Sequence, residues 1–99
     1  MVTFFKNNRN GQVVEAIQWT DNTSLVKNFC KDKCNYSVMD TAWEVGKGAP
    51  IETMMIHTLK GPVKANRNDF IAKGLRHGEF HVHSAEEFNS LYREMNLSA

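Results

Sequence analysis

The sequence predicts an α+β fold: an antiparallel twisted sheet, or partly open barrel, of five to seven strands with two packed helices, in one domain over residues 1–99. Three observations carry that expectation. Short β-prone runs recur between turns rich in Gly, Asn and Pro. Apolar residues return at helical spacing in two segments, near residues 22–33 and 84–95. Strands and helices also fall in separate blocks, which argues against alternating βαβ units.

The chain opens as a β-hairpin. Val2 to Lys6 is β-prone, Asn7–Asn8–Arg9–Asn10–Gly11 is a turn, and Gln12 to Thr20 is the return strand. Val13, Ile17 and Trp19 share one face of that strand, and Val14, Ala16 and Gln18 the other. Apolar groups on both faces imply a central strand. A helix follows over Asn22 to Lys33. Leu25, Val26, Phe29 and Cys30 form its apolar stripe, and Thr20 or Asp21 is the expected N-cap.

Tyr36 to Asp40 and Ala42 to Val45 read as two short strands, and Gly46 to Pro50 as a loop. Ile51 to Lys60 is the longest strand candidate. Met54, Ile56 and Thr58 share one face; Met55, His57 and Leu59 share the other. A two-sided strand of this kind is expected to be covered twice, by the helices or by a partner subunit. Gly61–Pro62 turns the chain into Val63–Ala65, and Asn66 to Asp69 turns it into Phe70–Ala72. Gly74 to Gly78 leads to the strand Glu79 to His83.

The last element carries the clearest signal. Ser84-Ala85-Glu86-Glu87 has the capping-box form, with Ser84 on the Glu87 amide and Glu87 reaching back. Phe88, Leu91, Tyr92 and Met95 then form one apolar stripe on a helix of about three turns. If that face is core, Leu91→Ala is expected to cost about 2–5 kcal/mol.

Composition narrows the function classes. The chain is 41% hydrophobic and 23% charged, which sets it apart from disordered chains. Its 12 Lys+Arg and 11 Asp+Glu leave a net charge of +1, so no global charge demands a nucleic-acid partner. No apolar run approaches the roughly 18 residues of a membrane span, and no membrane partner is expected. Met1 to Asn10 is polar after Phe5 and lacks a signal-peptide core, so a cytosolic location is expected. Cys30 and Cys34, spaced C-x3-C, are expected to be free thiols, with Cys30 packed in the core.

Four groups of residues are candidates for chemistry. His81 and His83 lie on one strand face, with His77 nearby and Glu87 on the next helix. Three imidazoles and a carboxylate are a Zn²⁺-type donor set, and His-x-His-x3-Glu resembles the first metal motif of cupin barrels. No second His-bearing motif follows, and Glu87 already serves a cap. The favoured expectation is therefore no metal and no cofactor, with His77, His81 and His83 as the alternative ligand set. Lys60, Lys64, Arg67, Lys73 and Arg76 form a basic group opposed only by Asp69. With Trp19, Trp43 and Phe70 as stacking surfaces, it offers a nucleic-acid alternative. Trp43, Tyr36, Met54, Met55 and Tyr92 are the amphipathic bulk that protein interfaces use. A nucleophilic site lacks support: there is no Gly-x-Ser-x-Gly, P-loop or dinucleotide fingerprint. The expectation is a protein that is not an enzyme, with binding residues Trp43, Lys60, Lys64, Arg67, Lys73, Arg76, His81 and His83.

Ile56-His57-Thr58-Leu59-Lys60-Gly61, Lys64-Ala65, Asn68-Asp69-Phe70-Ile71-Ala72-Lys73-Gly74 and Gly78-Glu79-Phe80 form a familiar series. Together with Val14 to Thr20 and the Phe88-containing helix, it resembles a set of small tailed-phage and prophage proteins marked by a Pro-Gly-Asp-Tyr-type turn and strand. The likeness leaves the middle, Lys31 to Pro50, unmatched. Arg67-Asn68 stands where those proteins carry Pro-Gly or Ser-Gly, and Asn68 is expected to adopt the left-handed turn. His81-Val82-His83-Ser84-Ala85 replaces their Tyr-Pro-Cys-Lys-Pro. The resemblance implies a small phage accessory protein of the host cytoplasm. The expected role is binding and modulating a host protein, in host takeover or counter-defence. The alternative is a homo-oligomeric module for a small ligand, nucleotide or nucleic acid, with the histidine strand and Lys73 or Arg76 at a pocket. A metal-dependent enzyme stands third.

Overall fold

A computed structural model describes residues 2–39 and 51–95. The expected strand Ala42–Val45, the loop Gly46–Pro50 and Trp43 lie outside the described residues. The order is β1 Thr3–Asn7, β2 Val13–Gln18, α1 Thr23–Cys30, a 3₁₀ turn Lys31–Lys33, β3 Cys34–Met39, β4 Ile51–Thr58, β5 Gly61–Ala65, β6 Phe70–Gly74, β7 Phe80–His83, α2 Ala85–Leu91 and β8 Tyr92–Glu94. The class is α+β as expected. Eight strands among the described residues divide between two antiparallel sheets, β7-β6-β2-β1-β8 and β3-β4-β5.

β2 is central, between β1 and β6, as its two apolar faces imply. Side chains alternate along a strand, so each face of β2 feeds a different core. Ile17 and Trp19 join Val26, Cys30, Met54, Ile56, Ala65, Ile71 and Phe80 in the larger core, under α1 and the three-stranded sheet. Val14 and Ala16 join Ala72 and Phe88 in the smaller core, under α2. The β2–β6 register sets Ile17 opposite Ile71 and Ala16 opposite Ala72, which keeps the two sets apart.

The β4 expectation is corrected. Met54 and Ile56 are fully buried, but the opposite face is solvated. Met55 lies between Asn35 and Lys64 in register, and His57 is exposed beside Pro62. Leu59 falls in the β4–β5 turn and is 81% exposed. This face is mostly polar and needs no second cover.

Both helices are shorter than their periodicity suggests. α1 ends at Cys30, where Lys31 takes φ +54 and the chain tightens into the 3₁₀ turn. The N-cap position belongs to Asn22, not Thr20 or Asp21. Its side chain bonds backward instead, accepting from the Thr20 amide and donating to the Gln18 carbonyl. Asn68 takes φ +77, the left-handed turn expected of it.

α2 begins as read: Ser84 Oγ accepts from the Glu87 amide at 3.1 Å. Glu87 does not return to Ser84, because its carboxylate pairs with His83 Nδ1. The helix stops at Leu91, where the chain extends to pair with the free edge of β1, Tyr92 opposite Asn7 and Glu94 opposite Phe5. Edge pairing satisfies a row of backbone groups that another helical turn would leave open. Tyr92 still stacks on Phe88, with centroids 4.7 Å apart. Leu91 is only half-buried, so the large truncation cost expected there belongs to Phe88.

Candidate functional site

At one end of the five-stranded sheet the β6–β7 turn bounds a cleft of ≈ 440 Å³. Gln12, the start of β2 (Val13 and Val14), the segment Gly74–His77, Glu79, His81 and Tyr92 form its walls. The turn is locked by its backbone: the Gly74 amide donates to the Glu79 carbonyl at 2.8 Å, and the Gly78 amide to the Gly74 carbonyl at 2.9 Å. Gly78, at φ +70, supplies the left-handed residue that closes it.

Glu79 is the distinctive side chain. A Cβ at Gly74 would lie 2.2 Å from Glu79 Oε1 and 2.6 Å from its Cδ. The missing side chain at position 74 is therefore the space the carboxylate occupies. Glu79 Oε2 is buried and has no hydrogen-bond partner. Its other oxygen is 3.8 Å from His81 Nε2, too far for a hydrogen bond. Arg76 and His77 bring donors to the same cleft, and both are exposed.

Of the sequence-derived candidates, His77, His81 and Arg76 meet here. His83 does not. It lies under α2, with its ring 6.0 Å from both Phe88 and Tyr92 and its Nδ1 on Glu87. Among the described residues no group of three His, Cys, Asp or Glu side chains is placed to hold a metal ion, which counts against His77, His81 and His83 as a ligand set. Glu79 escaped the sequence reading. The signal was there in Gly74, since a strand-end glycine often marks a close approach by another group.

The basic residues are dispersed. Lys60 lies in the β4–β5 turn and Lys64 on the solvated face of the three-stranded sheet. Lys73 stands opposite Glu15, with Nζ 6.0 Å from the Phe80 ring centroid. Arg67 is committed to a clamp between the sheets. It bonds both carboxylate oxygens of Glu52, donates to the Thr20 carbonyl, and lies 4.6 Å from the Trp19 ring centroid. Tyr36 completes the clamp, its hydroxyl donating to Glu52 at 2.7 Å.

Hydrogen bonds from Arg67 and then from Tyr36 hold the Glu52 carboxyl below its ordinary value of 4.5. A depressed folded-state pKa contributes stability that is present above the unfolded pKa and lost as pH falls through the folded one. Thermal melts of wild type and Glu52→Gln are expected to differ at pH 7, with the gap narrowing below pH 4.5. A gap that stays constant into acid contradicts the clamp.

Both cysteine thiols are held toward their neutral form. Burial pushes the Cys30 thiol up to about 12, and burial also raises Cys34. Both are free, and the Cys34 thiol donates to the Lys31 carbonyl at 3.6 Å. No helix among the described residues is long and apolar enough to cross a membrane. No protein-family model, curated protein or solved structure matches the chain.

Proposed function

We propose that the protein is a non-enzymatic small-ligand-binding module whose site is the cleft at the β6–β7 turn. The observation that carries this reading is the unpartnered Glu79 carboxylate oxygen, seated where Gly74 leaves room, beside Arg76, His77 and His81. A ligand that donates to the exposed part of the Glu79 carboxylate gains a charge-assisted hydrogen bond. The cleft's volume lies within the range of small-molecule sites, about 300–1,000 Å³. On this reading, the phage accessory role implied by the sequence resemblance operates in the host cytoplasm through ligand capture. A direct grip on a host protein is the second reading: of the exposed apolar side chains, Val38, Leu59 and Val63 belong to the three-stranded sheet and its β4–β5 turn, while Val2, Leu25 and Leu75 lie elsewhere.

Screening a fragment library against the ¹⁵N-labelled chain tests the proposal. Amide shifts are expected to cluster at Gln12–Val14, Gly74–Glu79 and Tyr92. Gly74→Ala is expected to abolish them, because the new Cβ displaces the carboxylate. A library that binds nowhere near these amides overturns the proposal.

A further inference from the structure

We propose that Cys30 and Cys34 form a reversible disulfide that fastens the end of α1 to the start of β3, with a low-molecular-weight disulfide such as oxidised glutathione as the oxidant. Both side chains converge on one core. Cys30 is the last residue of α1 and is buried in the larger core. Cys34 opens β3 directly opposite Ile56, and directly opposed residues present their side chains to the same face. Ile56 belongs to that core, and Cys34 packs against it. The sulfurs are hydrogen-bond neighbours: the Cys30 thiol donates to Cys34, whose own thiol donates to the Lys31 carbonyl at 3.6 Å.

The segment between them is free to adjust. Lys31, Asp32 and Lys33 are all exposed. Lys31 takes φ +54, a conformation that costs energy in a residue with a Cβ, and this one residue turns the chain out of α1. Among the described residues no third His, Cys, Asp or Glu joins the pair to hold a metal ion, which favours a bond between the two sulfurs. Cys34 is half-buried and Cys30 buried, so their roles differ. The Cys34 thiolate attacks oxidised glutathione, forms a mixed disulfide and releases one glutathione thiolate. The Cys30 thiolate then attacks the Cys34 sulfur, closes the ring and releases the second. Two protein thiols lose two electrons and two protons, and one oxidised glutathione becomes two reduced molecules. Burial holds both thiols toward the neutral form, against the pull of Lys73 on Cys30 and Lys27 on Cys34, so exchange is slow near neutral pH.

Redox titration of the full chain in glutathione buffers tests the proposal. It is run to equilibrium in native buffer and again in urea, with intact mass as the readout. Wild type is expected to lose two hydrogens without keeping glutathione. The equilibrium constant for closure is expected to be about tenfold or more larger in native buffer than in urea, because the fold raises the effective concentration of one thiol at the other. By reciprocity, the oxidised chain is expected to melt at a higher temperature than the reduced chain. Cys30→Ala is expected to stop at glutathione attached to Cys34. Cys34→Ser, shown to be folded by its thermal melt, is expected to take up far less glutathione than Cys30→Ala. Equal constants in the two conditions, wild type that retains glutathione on Cys34, or a bond that joins two chains overturns the proposal. Thiols that stay reduced in native buffer while they pair in urea overturn it as well.

Discussion

Phe88→Ala is expected to destabilise the protein by about 3–5 kcal/mol, the usual range for a truncated core aromatic. Phe88 is fully buried in the smaller core. Its ring stacks on Phe70 at 4.2 Å and on Tyr92 at 4.7 Å, and meets Phe5 edge-on at 4.8 Å. Removing it empties the centre of an aromatic group whose other members come from β1, β6 and β8. Those strands are fixed by sheet pairing and cannot collapse into the space. The effect reaches beyond packing. α2 has seven residues, too few to persist without tertiary support. Its release also frees the Leu91 carbonyl, which accepts from the Asn8 amide, and loosens the pairing of β8 with β1. Urea denaturation is expected to show a lower midpoint with an unchanged slope, and amide exchange should accelerate first at Tyr92–Glu94. A loss below about 1 kcal/mol, the size of an ordinary substitution, contradicts the assignment of Phe88 as the keystone of this core.

The parts of the fold that local pattern encodes were legible. The apolar alternation of Val14, Ala16 and Ile17 marks β2 as central, and the structure buries these residues in two cores. Ser84 announces the start of α2 and caps it. Features decided by distant pairing were not legible. Nothing near Tyr92 reveals that β1 has an open edge waiting 85 residues earlier in register, at Asn7. Helical periodicity therefore overran the true end of α2. Likewise, Arg67 looks like a free cation until β4 brings Glu52 beside it, 15 residues away in sequence. The cleft was half legible. The histidines and Arg76 stand out by residue type, whereas Glu79 belongs to none of the candidate groups the sequence offers. Only the hairpin geometry, with Gly74 beneath the carboxylate, separates it from the other acids.

Trp19→Ala is expected to cost a similar amount, about 3–5 kcal/mol, from the opposite face of the same sheet. Trp19 is 2% exposed and is among the largest buried side chains of the larger core. Its Nε1 donates to Thr23 Oγ1 at 3.0 Å, tying the end of β2 to the first turn of α1. Its ring meets Tyr36 edge-on at 6.2 Å and seats the Arg67 guanidinium. The substitution thus removes packing, a hydrogen bond and the platform for the clamp between the two sheets. The backbone contribution survives, because the Trp19 amide still donates to the Asp69 carbonyl and its carbonyl still accepts from Asn68. Trp19→Phe separates the components. It keeps an aromatic ring but loses the hydrogen bond to the Thr23 hydroxyl, so its cost is expected to fall well short of the alanine variant. Combining Trp19→Phe with Phe88→Leu keeps the total loss within the stability of a small domain, roughly 5–15 kcal/mol. Because the two residues occupy separate cores, their effects are expected to add within about 0.5 kcal/mol. Trp19→Phe with Arg67→Ala is expected not to add, since those side chains touch. Coupling between Trp19 and Phe88 as strong as that between Trp19 and Arg67 would mean that the sheet transmits packing from one core to the other, and that β2 is not the barrier its alternating faces imply.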